Sequence, residues 1–221
     1  MGNILGMRPS GAIHGAVCVR RPFALAALVI TLACALSVAG CHPVPPLDTK
    51  PLDSAGMTYD TIKQLTALNI TQPEVAHLAT ARQGGFSDAN CVQAVQIYRG
   101  RNQPFDAGDD IAGLLRAQVS EETIVELAKL NELGLSAGEM EAMRLAGLSD
   151  AILLEVARHR AAGHPVLAGA SLANLKNAGV RELTLLELAR RGVPDSQASA
   201  IISYRKHGAT DAQILSHFAP L

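Results

Sequence analysis

The sequence predicts an all-α fold, an array of about ten short helices in tandem helical hairpins, following a cleaved leader and a proline-rich tether. Three observations lead there. Ala, Leu and Gly dominate the 221 residues, Trp is absent, and there are only three Tyr and four Phe. Such a composition suits helices packed closely through small residues, without large aromatic anchors. Apolar residues recur with a period of 3.6, and no alternating strand pattern of useful length occurs. From about Met57 one short phrase keeps returning: an apolar residue follows a helix-ending residue and precedes a polar or proline cap.

The first element is the leader. Residues 1–40 hold Arg8, Arg20 and Arg21 and no acid, whereas from Cys41 onward 16 basic residues face 20 acidic ones, about −4 with His neutral. Arg20-Arg21 precedes "PFALAALVITLACALSVAG", Pro22 to Gly40. A basic patch, an apolar run and small residues at its end form the three-part layout of a secretory signal. As a helix the run would be roughly 27 Å long, marginal for a hydrocarbon core of about 30 Å. Its ending is more specific. "VAGC", Val38 to Cys41, resembles the lipobox of bacterial lipoproteins. That resemblance implies cleavage before Cys41, acylation of the Cys41 thiol, and a lipid-anchored protein of the cell envelope facing the periplasm. His42 stands where Asp retains enteric lipoproteins in the inner membrane, so the resemblance points to the outer one. The stretch ahead of Arg20 is long for such a signal, which leaves Met1 and Met7 both open as the start.

The next element is the spacer. Pro43, Pro45, Pro46 and Pro51 punctuate residues 41–56, which offer little to bury and read as an extended, polyproline-like linker. Cys18 and Cys34 leave with the leader and Cys41 carries lipid, so Cys91 alone remains and no intramolecular disulfide is expected. Cys91 lies on an apolar helical stripe and reads as a small buried hydrophobe.

Residues 57–221 form the helical domain. The phrase occurs at Ile70-Thr71, Phe86-Ser87, Val119-Ser120, Leu135-Ser136, Leu148-Ser149, Val180-Arg181 and Val193-Pro194, at intervals of 16, 33, 16, 13, 32 and 13 residues. Each long interval hides a weaker junction, at Phe105-Asp106 and at Ala170-Ser171. Glycine ends a helix cheaply in the left-handed conformation, the apolar residue tucks back, and Ser, Thr or Asp caps the next helix. "TQPE" at Thr71–Glu74 and "SAGE" at Ser136–Glu139 both have capping-box spacing. Expected core positions include Ile124, Leu127 and Ala128, then Leu153, Val156 and Ala157, then Leu185, Leu188 and Ala189, and finally Ala198, Ile201 and Ile202. Most helices should be 8–13 residues long, too short to stand without neighbours.

Residues that could carry chemistry are few. The sequence has no HExxH, GxSxG, CxxC or phosphate-cradling glycine loop. His159 and His164 are five apart across a glycine, off a common helical face. Asp109-Asp110 and Glu121-Glu122 sit in first turns, where the helix dipole stabilises them. These patterns name no catalytic residue, metal ligand or cofactor, and they suit a noncatalytic interaction or scaffolding module for another envelope protein.

One passage points to a different partner. "VQIYRGRNQPFDAGDDIAGLLRAQVSEETIVEL", Val95 to Leu127, resembles the tandem helix-hairpin-helix domain of periplasmic competence DNA receptors, through Tyr98, Arg99, Asn102, Phe105, Asp110, Ile111 and Leu115. "GVPDSQASAIISYRKHG", Gly192 to Gly208, resembles a second copy. The resemblance implies nucleic-acid binding as an alternative function, with Arg99, Arg101, Arg205 and Lys206 as contacts. The chain departs from that family where Ser87, Ser120 and Pro194 replace the second glycine of the phosphate-binding turn, and its mild acidity opposes binding to DNA.

Overall fold

The computed structural model describes residues 46–218. The chain divides into two units, residues 1–44 and 45–221, and the described residues belong to the second. Its helices are α1 (Lys50–Ser54), α2 (Tyr59–Ala67), α3 (Gln72–Gln83), α4 (Asp88–Gly100), α5 (Gly108–Arg116), α6 (Glu121–Leu130), α7 (Leu133–Leu145), α8 (Asp150–Ala161), α9 (Gly169–Asn177), α10 (Glu182–Arg190), α11 (Ala198–Lys206) and α12 (Asp211–His217). A single 3₁₀ turn, Asp195–Gln197, leads into α11, and no strand occurs among the described residues.

The recurring phrase is a helix stop fused to a helix start. A residue of positive φ follows each of α1 to α11; seven of these are glycines, and the others are Asn69, Asn102, Gln118 and Asn131. After most of them the next N–H reaches back five residues, as in Phe86 N–H to the Ala81 carbonyl at 3.0 Å and Val180 N–H to the Leu175 carbonyl at 3.0 Å. This is the Schellman closure. Its apolar residue is driven into the core: Met57, Phe86, Val119, Leu148, Val180 and Val193 are all buried. The next residue, Thr58, Ser87, Ser120 or Ser149, is extended and takes the N-cap position of the following helix, and the side chains of Thr58 and Ser120 accept from the Thr61 and Thr123 N–H groups.

The helices form two layers. α1, α3, α5, α7, α9 and α11 pack in succession, as do α2, α4, α6, α8, α10 and α12. A longer repeat lies over this one. Arg82, Arg144 and Arg205, 62 and 61 residues apart, each donate to the carbonyl of a left-handed residue 26 positions earlier: Gly56, Gln118 and Gly179. Each also pairs with an aspartate six positions later: Asp88 at 2.8 Å, Asp150 at 3.4 Å and Asp211 at 3.7 Å. Four hairpin helices thus make one unit of about 62 residues, of which the chain carries successive copies.

Three expectations need correction, and one is the junction at Ala170-Ser171, which lies inside α9 because that helix begins at Gly169. The linker does not extend to Gly56: α1 lies within it and Leu52 is fully buried. Pro51 falls in the first turn, where its missing N–H costs nothing, so proline there starts a helix rather than preventing one. Leu135-Ser136 is not a junction, because α7 begins at Leu133. Asn131, left-handed at φ 63°, ends α6, and this places the break some four residues earlier.

The expected core positions are buried, with Ile202 half-exposed. Leu127 and Leu188 are completely buried. Leu127→Ala and Leu188→Ala should each cost about 2–5 kcal/mol, the usual range for an interior leucine. Denaturant titration followed by far-ultraviolet circular dichroism measures this. Cys91 is unpaired and buried, so reductant should leave the unfolding midpoint unchanged.

Candidate interaction surface

The two-layer packing brings the N-termini of the even-numbered helices onto one edge, and a ladder of carboxylates runs along it. The N–H of Thr58 donates to Asp88 Oδ2 at 2.9 Å, Ser87 to Glu121 Oε2 at 2.8 Å, Ser120 to Asp150 Oδ2 at 2.9 Å, and Ser149 to Glu182 Oε1 at 2.8 Å. Each acceptor is the first residue of the next helix in the layer, so one hairpin caps its predecessor. For Asp88, Glu121 and Glu182 burial is the largest influence and raises the pKa. Hydrogen bonds from Thr58 and Thr61, from Ser87 and Asn90, and from Ser149 and Lys176 outweigh it and hold the three below the usual carboxylate range. Among the described residues, Thr210 has no carboxylate of a later helix on its N–H. Its N–H is instead accepted by Gln213 Oε1 at 2.8 Å, in a capping box of its own helix.

The alternative nucleic-acid residues occupy separate hairpins. Arg99 and Arg101 are near the end of α4, which packs on α2, α3 and α6; Arg205 and Lys206 end α11, which packs on α9 and α12. Arg99 donates to the carbonyls of Leu68, Asn69 and Gln103 and to Glu74 Oε2, the last at 2.7 Å. Arg101 donates to Asn131 Oδ1 and the Lys129 carbonyl. Arg205 donates to the carbonyls of Gly179 and Ala209 and pairs with Asp211. Lys206 is exposed. At the hairpin turns, the N–H groups of Ser87 and Ser120 already hold carboxylates of this chain.

Glu74 is the most deeply buried carboxylate, with its side chain 1% exposed. Its Oε2 accepts the Thr71 N–H and hydroxyl and Arg99, and its Oε1 accepts the Phe105 N–H at 2.7 Å. Burial raises its pKa, but these four bonds prevail and bring it down to about 2. The capping box expected from "TQPE" is thus present, and it also fastens α4 and the start of the next hairpin. Cys91 is buried, and burial pushes its thiol up to about 12, a poor nucleophile. The rings of His159 and His164 lie 5.9 Å apart, with His159 Nε2 3.2 Å from the Arg190 carbonyl. No group of three His, Cys, Asp or Glu is placed to hold a metal among the described residues. No helix among the described residues is long and apolar enough to cross a membrane. Cys41, expected above to be acylated, and residues 1–40, expected to be a leader, lie outside the described residues.

Among the described residues three large apolar side chains stand out in solvent: Tyr59 at 79%, Leu145 at 73% and Leu183 at 80% exposed. Leu183 follows Glu182, and Leu145 lies just before Gly147. Lys176 donates to the Gly147 carbonyl and to Glu182 Oε2, and so links the chain segments that carry the two leucines. Comparison with protein-family models, curated proteins and solved structures found no match.

Local sequence reading misses the ladder, although the ladder leaves a signal there: an acid directly after the capping residue, in Ser87-Asp88, Ser120-Glu121, Ser149-Asp150, Arg181-Glu182 and Thr210-Asp211. From its position alone Glu121 is explained by the helix dipole. That its carboxylate reaches back 34 residues is a matter of packing.

Proposed function

We propose that the chain is a lipoprotein of the cell envelope, acylated at Cys41 and facing the periplasm from the outer membrane, whose helical array is a noncatalytic interaction or scaffolding module for another envelope protein. The observation that carries this reading is the exposure of Leu145 and Leu183, on segments that Lys176 links through Gly147 and Glu182. Apolar side chains held on a rigid, polar-rimmed framework are what a protein partner buries at the centre of an interface. Stacked short repeats supply a broad surface for such contacts.

Two results test the reading. Cys41→Ala should abolish acylation and leave uncut precursor, as seen by mass spectrometry of the N-terminal peptide; a mature N-terminus elsewhere would contradict the anchor. In envelope cross-linking, a Leu145→Ser, Leu183→Ser double variant should lose the partners that the parent chain captures. Retention of all of them would remove this surface from consideration.

A nucleic-acid partner has less support. The turn N–H groups that a phosphate would need are bonded to carboxylates, and Arg99 and Arg205 are engaged with carbonyls and acids of their own chain. Fluorescence anisotropy with a labelled duplex at physiological salt should show no binding tighter than about 10⁻⁵ M, the nonspecific range. Submicromolar binding that an Arg99→Ala, Arg205→Ala double variant loses would reverse the order of the two readings.

A further inference from the structure

The first hairpin differs from all the others on the side that faces away from the array. In α4, α6, α8 and α10 the first residue is the acid that reaches back to the preceding hairpin. In α2 that position is Tyr59. Four residues further along, α2 carries Lys63 where the other helices carry Val92, Val125, Leu154 and Leu186, all buried or half-buried. Three positions beyond, it carries Thr66 where they carry Val95, Ala128, Ala157 and Ala189, all buried. No hairpin precedes α2 among the described residues. Tyr59, Ile62, Lys63, Thr66 and Ala67, together with Thr49, line an open groove of about 460 Å³ there.

This face is too polar to stack on another hairpin of the same kind, and one exposed Tyr beside a half-buried Ile is unlike a plain solvated cap. Aromatic, aliphatic and Lys groups with two hydroxyls match the boundary between headgroups and acyl chains, where Tyr and Lys place an apolar body inward and a polar tip outward. The chain itself says what lies close by. Cys41 is eight residues from Thr49, which lines the groove, and the five residues from Cys41 to Pro46 span at most about 17 Å. We propose that the outward face of α2 rests on the bilayer in which Cys41 is anchored, with Tyr59 at the headgroup boundary, so that the array projects from the membrane by its N-terminal end. This rests on the lipoprotein reading above.

Because the chain has no Trp, Tyr59→Trp introduces a unique reporter. The full chain carrying it, purified from membranes and reconstituted in phosphatidylethanolamine–phosphatidylglycerol vesicles, should show indole emission shifted to shorter wavelength and quenched by brominated acyl chains. Leu183→Trp, equally exposed but on α10, should show neither. Water-like, unquenched emission from the Tyr59→Trp variant, in a sample whose Cys41 peptide carries lipid, would overturn the contact and leave the anchor standing. Should the peptide carry no lipid, the anchor fails. A maleimide lipid coupled to Cys41 of the chain beginning there, which keeps the whole compact unit and in which Cys91 is buried, then poses the same question of α2. A Tyr59→Trp reporter shielded in detergent, in proportion to protein concentration, would assign the face to a second copy and overturn the proposal.

Discussion

Gly108→Ala should destabilise the array by about 3 kcal/mol or more, at or beyond the upper end of the usual cost of overpacking. A methyl group there would stand 2.1 Å from the His77 carbonyl oxygen and 2.6 Å from the His77 Cα. The obstacle is backbone, which cannot swing aside, so the start of α5 would have to lift off α3. The φ of Gly108 is not positive, and the cost is therefore steric rather than conformational. Its neighbours supply the controls. Gly113 faces only the ends of flexible side chains, Glu141 at 3.1 Å and Arg116 at 3.7 Å, and Gly100 meets nothing within 4 Å. Alanine at either should be neutral or stabilising by up to about 1 kcal/mol through helix propensity. Gly169 lies 61 residues after Gly108 and would meet the flexible Met143 and Glu139 side chains, so its alanine variant should fall between. Thermal melts of the four variants give the order directly, and equal midpoints for Gly108→Ala and Gly113→Ala would refute the close approach of α5 to α3.

The second large effect concerns Glu74. Glu74→Ala leaves two backbone N–H groups, the Thr71 hydroxyl and the Arg99 guanidinium without their common acceptor, at a cost of about 3–5 kcal/mol. Its pH dependence follows from the direction of the shift. The folded-state pKa of about 2 lies below the ordinary 4.5. The unfolded chain therefore binds the proton more readily, and the stabilisation is complete above the ordinary pKa and disappears as pH falls towards 2. The difference corresponds to about 3 kcal/mol at neutral pH. Asp88, Glu121, Glu182 and Glu139 are shifted the same way, the last mainly by its hydrogen bond from Arg160. Denaturant unfolding should thus show stability nearly flat above about pH 6 and falling steeply between about pH 5 and 2. Glu74→Gln should be less stable at neutral pH and lose less on acidification. Parallel pH profiles for the two proteins would mean that Glu74 titrates normally.

Glu74 also shows how far local sequence reaches. Its capping box is written in four consecutive residues, so spacing alone announced it. That the same carboxylate also receives Arg99, 25 residues away on α4, and the Phe105 N–H, 31 residues away, depends on packing that no local pattern records. Helix stops were legible at Gly85-Phe86-Ser87 and Gly147-Leu148-Ser149, because left-handed glycine and the C-terminal closure are properties of a few adjacent residues, whereas the same pattern at Gly134-Leu135-Ser136 lies inside α7. Asn131 was missed because a left-handed asparagine is marked less clearly than a glycine, and the boundary of α7 moved with it. Pro51 misled in the opposite sense, because proline is compatible with a first helical turn and only the burial of Leu52 against later helices tells that turn from a spacer. The lipobox likeness at Val38–Cys41 is likewise local, readable from order and residue type alone.

By itself, then, the sequence determined an all-α chain of short capped helices with an apolar stripe on each, because propensity, capping and periodicity act within one or two turns. Only the tertiary structure decided which helices share a layer and where the basic side chains are spent. It placed Asp88, Glu121, Asp150 and Glu182 on N–H groups some thirty residues earlier, left Tyr59 without a preceding hairpin among the described residues, and brought α5 onto α3 at Gly108. Those outcomes depend on how successive hairpins stack, and stacking is set by contacts between residues that no local spacing relates.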